Sequence, residues 1–355
     1  MSDISLSRKH NAAHITLNRP QALNAMTIEM VTTMAKALRE WADDDTIHHV
    51  LITSSAERAF CAGGDVREAV SVIDANPDIG AEPYFAAEYG FDMCLATFPK
   101  PVTSLVNGVV MGGGLGVARL SDRMVISSDI KLAMPETAIG LFPDVGASYF
   151  LRRAPLGAAL MMGMTGQMIG AGDTMVWQIA DAHVPQAEFD ALFEALSQCK
   201  TQSDIDATIT QFETNPPAPH FANHNDEITD IFCQETLTAI IEAARTLPDN
   251  HILAPCRDAL LHKCPTSIAA IWYMMTKCDV PETSHEAILR DFFLARKMTA
   301  RPDFREGVRA VLVDKDNTPL WQPASLDDIT MPMMQDLFDF ESMSPLPERG
   351  FIPKS

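Results

Sequence analysis

Residues 60–65 read FCAGGD and residues 109–116 read VVMGGGLG, and each stretch follows a strand-like run. Glycine has no Cβ, so the backbone can turn sharply at these places and a ligand can approach the main chain closely. The second stretch also opens a helix, where free amides and the helix dipole favour developing negative charge. If the two turns converge, they form an oxyanion hole in which each donor contributes about 3–4 kcal/mol. A tight turn without function explains either stretch equally well when it is taken alone.

The glycine turns do not fit the known nucleotide-binding motifs. The chain has no G-x-G-x-x-G with a downstream acidic partner and no G-x-x-x-x-G-K-[ST]. It also lacks the G-x-S-x-G elbow of serine hydrolases and the H-E-x-x-H of zinc proteases. Nicotinamide binding, ATP binding, serine hydrolysis and zinc proteolysis are therefore poor explanations of the two turns.

The first half of the chain alternates strand-like and helix-like patterns. Strands are predicted at residues 13–17, 49–53, 102–106 and 124–127. A helix is predicted after the first strand, with Thr27 as its N-cap. Its apolar stripe consists of Met26, Met30, Met34, Leu38 and Trp41. Strands that alternate with helices indicate an α/β fold with crossover connections.

Helical patterns dominate from about residue 185 onward. They cover residues 187–198, 203–212, 226–247 and 267–276. Capping boxes predict two further helix starts, one at Thr283 with Glu286 and one at Asp303 with Glu306. The sequence therefore predicts a core of residues 1–200 that carries the site, followed by a helical C-terminal region of residues 201–355.

Charge and cysteine content limit the classes of partner. The 355 residues include 27 basic and 47 acidic side chains, for a net charge of −20. Such a surface repels nucleic acid and anionic lipid, so an anionic substrate needs a local basic patch or backbone amides. Seven scattered cysteines, no apolar run of membrane-spanning length and an amino terminus without targeting features predict a cytoplasmic protein.

Two carboxylates stand in residues 134–146, MPETAIGLFPDVG, among prolines, glycines and apolar residues. Partial desolvation there would raise the pKa values of Glu136 and Asp144 toward a range useful for acid–base chemistry. The alternatives are a solvated helix cap for Glu136 and an Asx-turn for Asp144. Glu88 could line a pocket, although a glutamate in such a helix is more often at the surface. His49, at the head of a strand, is expected to be solvated.

In combination these segments resemble the crotonase (enoyl-CoA hydratase/isomerase) superfamily across roughly residues 10–185. The resemblance rests on residues 15–25 (ITLNRPQALNA), on FCAGGD, and on Asn107-Gly108 leading to the glycine triplet. Within the superfamily, PETAIGLFPDVG, Glu88 before Tyr89, and residues 303–316 (DFREGVRAVLVDKD) are similar to the 3-hydroxyisobutyryl-CoA hydrolases. This second likeness covers nearly the whole chain. It implies an α/β spiral of ββα turns, with coenzyme A laid across it and a helical C-terminal region.

The resemblance also implies a role for each candidate site residue. The amides of Gly64 and Gly113 would hold the thioester oxygen, and Glu136 and Asp144 would be the catalytic carboxylates. Substrate contacts would come from Glu88, Ala22, Ala62, Gly63 and Gly112. The implied reaction is hydrolysis of 3-hydroxyisobutyryl-CoA, or of a close short-chain 3-hydroxyacyl-CoA, in valine breakdown. Coenzyme A is then part of the substrate, and neither a metal nor a further cofactor is expected.

Gly116 is a departure that bears on the reaction, because hydratases of the superfamily place the first of two catalytic glutamates at this position. Its absence favours hydrolysis over enoyl-CoA hydration or isomerisation, while a non-catalytic acyl-CoA-binding protein is a third alternative. Several points stay open. They are the acyl preference, the choice between general-base and anhydride routes for Glu136, the basic residues that meet the coenzyme A phosphates, and the formation of a homo-oligomer.

Overall fold

A computed structural model describes residues 2–340 of the chain. Within this range nine strands form two sheets. The strands are β1 (Ile4–Lys9), β2 (Ala12–Leu17), β3 (His49–Ser54), β4 (Ala59–Cys61), β5 (Val102–Val106), β6 (Val109–Met111), β7 (Arg123–Ile126), β8 (Lys131–Ala133) and β9 (Ala182–His183). The larger sheet has the order β1-β2-β3-β5-β7-β9, and the smaller sheet has the order β4-β6-β8.

The topology of the two sheets is a spiral. The chain passes from β3 to β4, from β5 to β6 and from β7 to β8, each time from the larger sheet to the smaller one. Helices then return it to the next strand of the larger sheet. Every pair of neighbouring strands except β1 with β2 is parallel. Parallel neighbours need crossover connections of this kind. The expected spiral of ββα turns is therefore confirmed.

Eight α-helices belong to the spiral and its immediate continuation. They are α1 (Ile28–Ala42), α2 (Val66–Ala75), α3 (Glu82–Ala96), α4 (Gly113–Leu120), α5 (Ala147–Phe150), α6 (Leu156–Thr165), α7 (Ala171–Val176) and α8 (Phe189–Ser197). The helical region adds α9 (Gln202–Phe212), α10 (Asn225–Phe232), α11 (Leu237–Arg245), α12 (Ala254–His262), α13 (Pro265–Thr276), α14 (Ser284–Thr299), α15 (Pro302–Val308) and α16 (Met331–Leu337).

The helical region packs on the same hydrophobic core as the spiral. One continuous cluster of buried side chains extends from Ile4 to Leu337. Helix α6 is buried along nearly its whole length between α10 and α13, so its apolar composition is satisfied on all sides. A smaller cluster lies on the other face of the larger sheet, where Leu192 and Ile205 from α8 and α9 cover Leu51.

Most of the predicted elements are confirmed. All four predicted strands are present within one residue of their predicted bounds. Thr27 caps α1, and its side chain accepts a hydrogen bond from the amide of Met30 at 3.2 Å. Helices α9 and α13 match the predicted residues 203–212 and 267–276, and Thr283 caps α14 as expected. The periodicity of apolar residues therefore located these elements correctly.

Three local predictions are wrong. The single helix at residues 226–247 is interrupted after Phe232, because Thr236 caps a new helix by accepting from the amide of Ala239. Asp303 does not cap α15; it is buried, and its Oδ1 accepts from the amide of Gln322 at 2.7 Å. His49 is fully buried, and burial lowers the pKa of its imidazole to about 4. The predicted residues 341–355 of the helical region lie outside the described residues.

One contact between the helical region and the spiral positions the later part of the site. Helix α15 crosses the 3-10 turn Glu136–Ile139 so closely that a Cβ at Gly307 would lie 2.5 Å from the backbone of Ile139. No side chain fits into that space without a backbone shift, so glycine is required there. The turn that begins with Glu136 is thereby held between the spiral and the helical region.

Candidate active site

All nine candidate site residues line one cavity of about 700 Å³. They are Ala22, Ala62, Gly63, Gly64, Glu88, Gly112, Gly113, Glu136 and Asp144. Apolar side chains such as Phe85 and Leu141 share the wall, and Val311 and Leu312 reach it from the helical region. A largely apolar cavity with a few convergent polar groups is the usual form of a small-molecule site.

The smaller sheet brings the main site groups to one edge. Gly64 follows the end of β4 by three residues, Gly113 follows the end of β6 by two, and Glu136 follows the end of β8 by three. Because β4, β6 and β8 are parallel neighbours, their carboxyl ends lie side by side. Ligands of α/β sheets bind at this edge.

Hydrogen bonds hold the first glycine turn in place. The amide of Met26 donates to the carbonyl of Gly63 at 2.8 Å, and the amide of Asp65 donates to the carbonyl of Met26 at 2.7 Å. The guanidinium of Arg19 then pairs with the Asp65 carboxylate at 2.8 Å. These contacts occupy the groups beside Gly64 and leave its own amide unused.

The two glycine turns meet. The Gly64 nitrogen lies 3.4 Å from the position that a Cβ of Gly113 would take, and the Gly113 nitrogen lies 3.6 Å from that of Gly63. Gly113 opens α4, so its amide has no partner within the helix. Within residues 2–340, neither amide donates a hydrogen bond to the protein. Two unused donors side by side are what an oxyanion hole requires, and that role stays a prediction.

Three carboxyl groups line this cavity, and two of them lie against the glycine turns. If Gly112 carried a Cβ, that atom would lie 2.6 Å from Oε1 of Glu136. A Cβ on Gly113 would likewise lie 2.5 Å from Oε1 of Glu88. All three residues are buried, with exposures of only 4% for Glu88, 6% for Glu136 and 4% for Asp144. The alternative that Glu136 is a solvated cap, and the surface position for Glu88, are therefore wrong.

Burial and mutual repulsion raise the pKa values of all three groups. Burial raises the pKa of Glu136 and that of Glu88 well above their usual range, and the charge of Asp144 adds to both shifts. Burial raises the pKa of Asp144 to about 6, while the Tyr89 hydroxyl, which donates to Oδ2 at 2.6 Å, acts to lower it. Because each of these charges acts on the others, the pKa values of the three carboxyl groups depend on one another.

Sequence reasoning missed a further layer of polar groups behind the carboxyls. Asp92 is fully buried, and neither of its oxygens has a hydrogen-bond partner within the described residues. Asp291, from α14, accepts from the amide of Gly146 at 2.7 Å. The spacing of Asp92 four residues after Glu88 could have signalled one helix face. No local signal could have found Asp291, because about 150 residues of chain separate it from Asp144.

The space beside Gly116 is closed. A Cβ at this position would lie 2.6 Å from Cβ of Val145, so a glutamate there would displace the segment that carries Asp144. The buried carboxyls of this cavity therefore come from α3 (Glu88) and from residues 134–146 (Glu136 and Asp144), and none comes from α4.

Three basic side chains line the mouth of the cavity. Arg19 is engaged by Asp65, and Arg67 donates to the carbonyl of Leu312. Lys315 has a left-handed backbone (φ +59°), and its ammonium group makes no hydrogen bond or ion pair within residues 2–340. Lys315 is thus the cation best able to meet an anionic ligand.

The chain is similar to known proteins over most of its length. A family model described as enoyl-CoA hydratase/isomerase matches residues 12–338. The chain is 33% identical over 334 residues to the mitochondrial 3-hydroxyisobutyryl-CoA hydrolase of Xenopus tropicalis, covering 92% of this chain and 86% of the relative. It is 32% identical to the enzyme of that name from Homo sapiens, with the same coverage.

Solved structures give the same fold with other names. An enoyl-CoA hydratase from Rhodobacter sphaeroides 2.4.1 superposes with a TM-score of 0.88 and 31% identity, covering 95% of this chain and 97% of the other. A carnitinyl-CoA dehydratase from Mycobacterium thermoresistibile gives a TM-score of 0.85 and 29% identity, with coverage of 100% and 99%. Within residues 2–340, no helix is long and apolar enough to cross a membrane.

The buried carboxyls predict a stability that depends on pH. As pH rises from about 4 to about 6, the unfolded chain releases the Asp144 proton before the native protein does, so the native state loses stability. We expect Asp144→Asn to remove this loss and to raise the free energy of unfolding by up to about 3 kcal/mol above pH 6, with little gain at pH 4.

Urea denaturation at several pH values measures this difference. Asp45→Asn is the matched control, because Asp45 is exposed and lies outside the carboxyl cluster. This control should change the free energy of unfolding by less than about 0.5 kcal/mol. An equal gain at pH 4 and pH 7 for Asp144→Asn would contradict the assignment.

Proposed function

The chain belongs to the enoyl-CoA hydratase/isomerase family, and from this premise we propose that it hydrolyses the thioester of a short-chain 3-hydroxyacyl-CoA, with 3-hydroxyisobutyryl-CoA as the first candidate. The observation that carries the proposal is the meeting of two unused backbone amides with three buried carboxyls in one cavity. The names of the relatives from Xenopus tropicalis and Homo sapiens support the same substrate.

The first step of the proposed reaction is polarisation of the thioester. The carbonyl oxygen accepts hydrogen bonds from the amides of Gly64 and Gly113. Both donors are held in place before the substrate arrives, so they stabilise the oxyanion without reorganisation, by about 3–4 kcal/mol each. The contacts of Met26 with the first turn and the helix start at Gly113 supply this rigidity.

Glu136 supplies the attack in its ionised form. In one route it takes a proton from water, whose oxygen attacks the carbonyl carbon. The tetrahedral intermediate then collapses, the C–S bond breaks, and Glu136 gives its proton to the leaving thiolate. In the other route a carboxylate oxygen attacks directly and expels the thiolate, and water then hydrolyses the anhydride. A raised pKa makes Glu136 a stronger base and nucleophile in either route. Both routes release the free acid and coenzyme A, and neither requires a metal or a redox cofactor.

Asp144 and Glu88 bind the acyl group in this proposal. Asp144, oriented by Tyr89, holds the 3-hydroxyl group or the attacking water. Glu88, whose Oε1 lies 2.5 Å from the position that a Cβ of Gly113 would take, closes the acyl pocket beside Phe85. Carboxyls that share protons can either donate to a hydroxyl or accept from it, which suits a hydroxylated acyl chain.

Hydration of an enoyl-CoA is the second candidate. It is favoured by the names of the solved structures, an enoyl-CoA hydratase and a carnitinyl-CoA dehydratase. The closed space beside Gly116 counts against it, because the first of the two hydratase glutamates has no room there. Loss of enoyl-thioester absorbance on incubation with the protein would indicate hydration.

The proposal extends to the setting of the reaction. We place it in valine breakdown and in the cytoplasm, where the seven free cysteines would stay reduced. The relatives are named as mitochondrial, so subcellular fractionation decides the compartment. Partners other than the acyl-CoA are not required, and nucleic acid is disfavoured by the net charge of −20.

Thiol release from 3-hydroxyisobutyryl-CoA tests the reaction. We expect Glu136→Gln to lower kcat by on the order of 10²–10⁴-fold with little change in KM, because the base or nucleophile is lost while the substrate contacts remain. Glu40→Gln, at an exposed position on α1, is the matched control and should keep full turnover. Near-normal turnover by Glu136→Gln would rule out the proposed role.

Lys315 is the proposed contact for the phosphates of coenzyme A. Replacement by alanine should raise KM about three- to tenfold and weaken its dependence on salt, while kcat stays the same, since the charge-assisted contact lies far from the thioester. Lys36→Ala removes an exposed lysine of α1 and controls for the change in net charge. An unchanged KM for Lys315→Ala would place the phosphates elsewhere.

A further inference from the structure

The helical region contributes a lysine beside the turn that carries Glu136. Lys263 directly follows α12, and its ammonium group donates to the carbonyl of Thr165 at the end of α6. Both Nζ of Lys263 and Cα of Pro135 lie next to Gly166. A Cβ on this glycine would be 2.7 Å from Nζ and 2.9 Å from Cα of Pro135. The ammonium therefore lies close to the residue that precedes Glu136.

The neighbouring residue fastens the same turn. The amide of Cys264 donates to the carbonyl of Thr137 at 3.0 Å, so the chain that carries Lys263 is hydrogen-bonded to the 3-10 turn of Glu136. The position of the ammonium is thus fixed from two sides, by Thr165 at the tip of the side chain and by Thr137 next to its backbone.

Among the described residues, Lys263 is the basic group whose charge acts on Glu136. The charged groups that act on Glu136 from the surrounding elements are Asp144 and Glu88, which are acidic, and Lys263, which is basic. The titratable groups that act on Lys263 are Glu136 and the thiol of Cys256. Within residues 2–340, none of the three site carboxyls forms a direct ion pair with a lysine or arginine.

We propose that Lys263 is a positioning residue that supplies the counter-charge for Glu136 during thioester hydrolysis, an inference that rests on the proposed function. An ionised carboxylate buried beside two further carboxyls is unstable unless a positive charge lies near it. A cation that is close but not in direct contact provides this charge and leaves the oxygens of Glu136 free for water or for the thioester.

Lys263 and Glu136 each shift the pKa of the other toward the charged form. The charge of Lys263 lowers the pKa of Glu136 against the effects of burial and of Asp144. In return, the charge of Glu136 raises the pKa of Lys263, which burial lowers. Removal of the cation must therefore raise the pKa of Glu136, so that less of it is ionised at neutral pH.

The pH profile of kcat/KM for thiol release tests the proposal. We expect Lys263→Met to move the acid limb of the profile to higher pH by on the order of one unit, with activity recovering toward that of the wild type at high pH. Lys263→Arg keeps the charge and should restore the limb of the wild type. Lys263→Gln can still donate to the carbonyl of Thr165, and should move the limb as Lys263→Met does even if the methionine variant folds poorly.

Lys100→Met is the matched control for a lost lysine–carbonyl hydrogen bond. Lys100 is half-buried and donates to the carbonyls of Trp41 and Asp44 at 2.6 Å and 2.8 Å, away from the cavity. Its replacement should lower the melting temperature without moving the limb. A limb that stays in place in Lys263→Gln, or one that moves equally in Lys263→Arg, would overturn the role of Lys263.

The same assay separates this inference from the proposed function. If the wild type releases thiol and Glu136→Gln does not, a limb that stays in place in the Lys263 variants refutes the counter-charge alone. If the wild type releases no thiol from any 3-hydroxyacyl-CoA, the hydrolase proposal fails, and the role of Lys263 fails with it.

Discussion

The side-by-side packing of β4, β6 and β8 is the constraint on which the site depends. Each of these short parallel strands ends just before one site element, namely Gly64, Gly113 and Glu136 in that order. Because the strands are neighbours, the two glycine turns come into contact and the carboxyl lies beside them. The spiral topology therefore assembles, at one sheet edge, groups that are about 50 and about 20 residues apart in the chain.

Around this edge the protein concentrates negative charge in a buried space. Glu88, Glu136 and Asp144 face the cavity, and Asp92 and Asp291 lie behind them. Such a cluster destabilises the fold, since each ionised carboxyl loses water and repels the others. The helical region offsets part of this effect by packing α15 against the turn that begins with Glu136, by placing Asp291 where it accepts from the amide of Gly146, and by contributing Lys263. Function and stability therefore oppose each other at the same residues.

Short sequence motifs were enough to predict the residues at the centre of the site, but not the residues that surround them. Gly64, Gly113 and Glu136 stand in short motifs whose backbone needs can be read directly, and the strands follow from apolar periodicity. The break before Thr236 was missed because a threonine cap overrode a continuous helical pattern. Asp303 was wrongly predicted as a cap, and Asp291 and Lys263 were missed, because their hydrogen-bond partners are not local in the sequence and no spacing encodes such contacts. The catalytic roles themselves stay predictions.

The central claim is that two main-chain amides act on one carbonyl oxygen. Isotope-edited infrared spectroscopy of a thioester with a ¹³C carbonyl, bound to the Glu136→Gln variant, tests it most directly, because that variant retains substrate in the proposed mechanism. Hydrogen bonds from Gly64 and Gly113 predict a carbonyl stretch at lower frequency than that of the free thioester in water. A stretch at the same or a higher frequency would contradict the account.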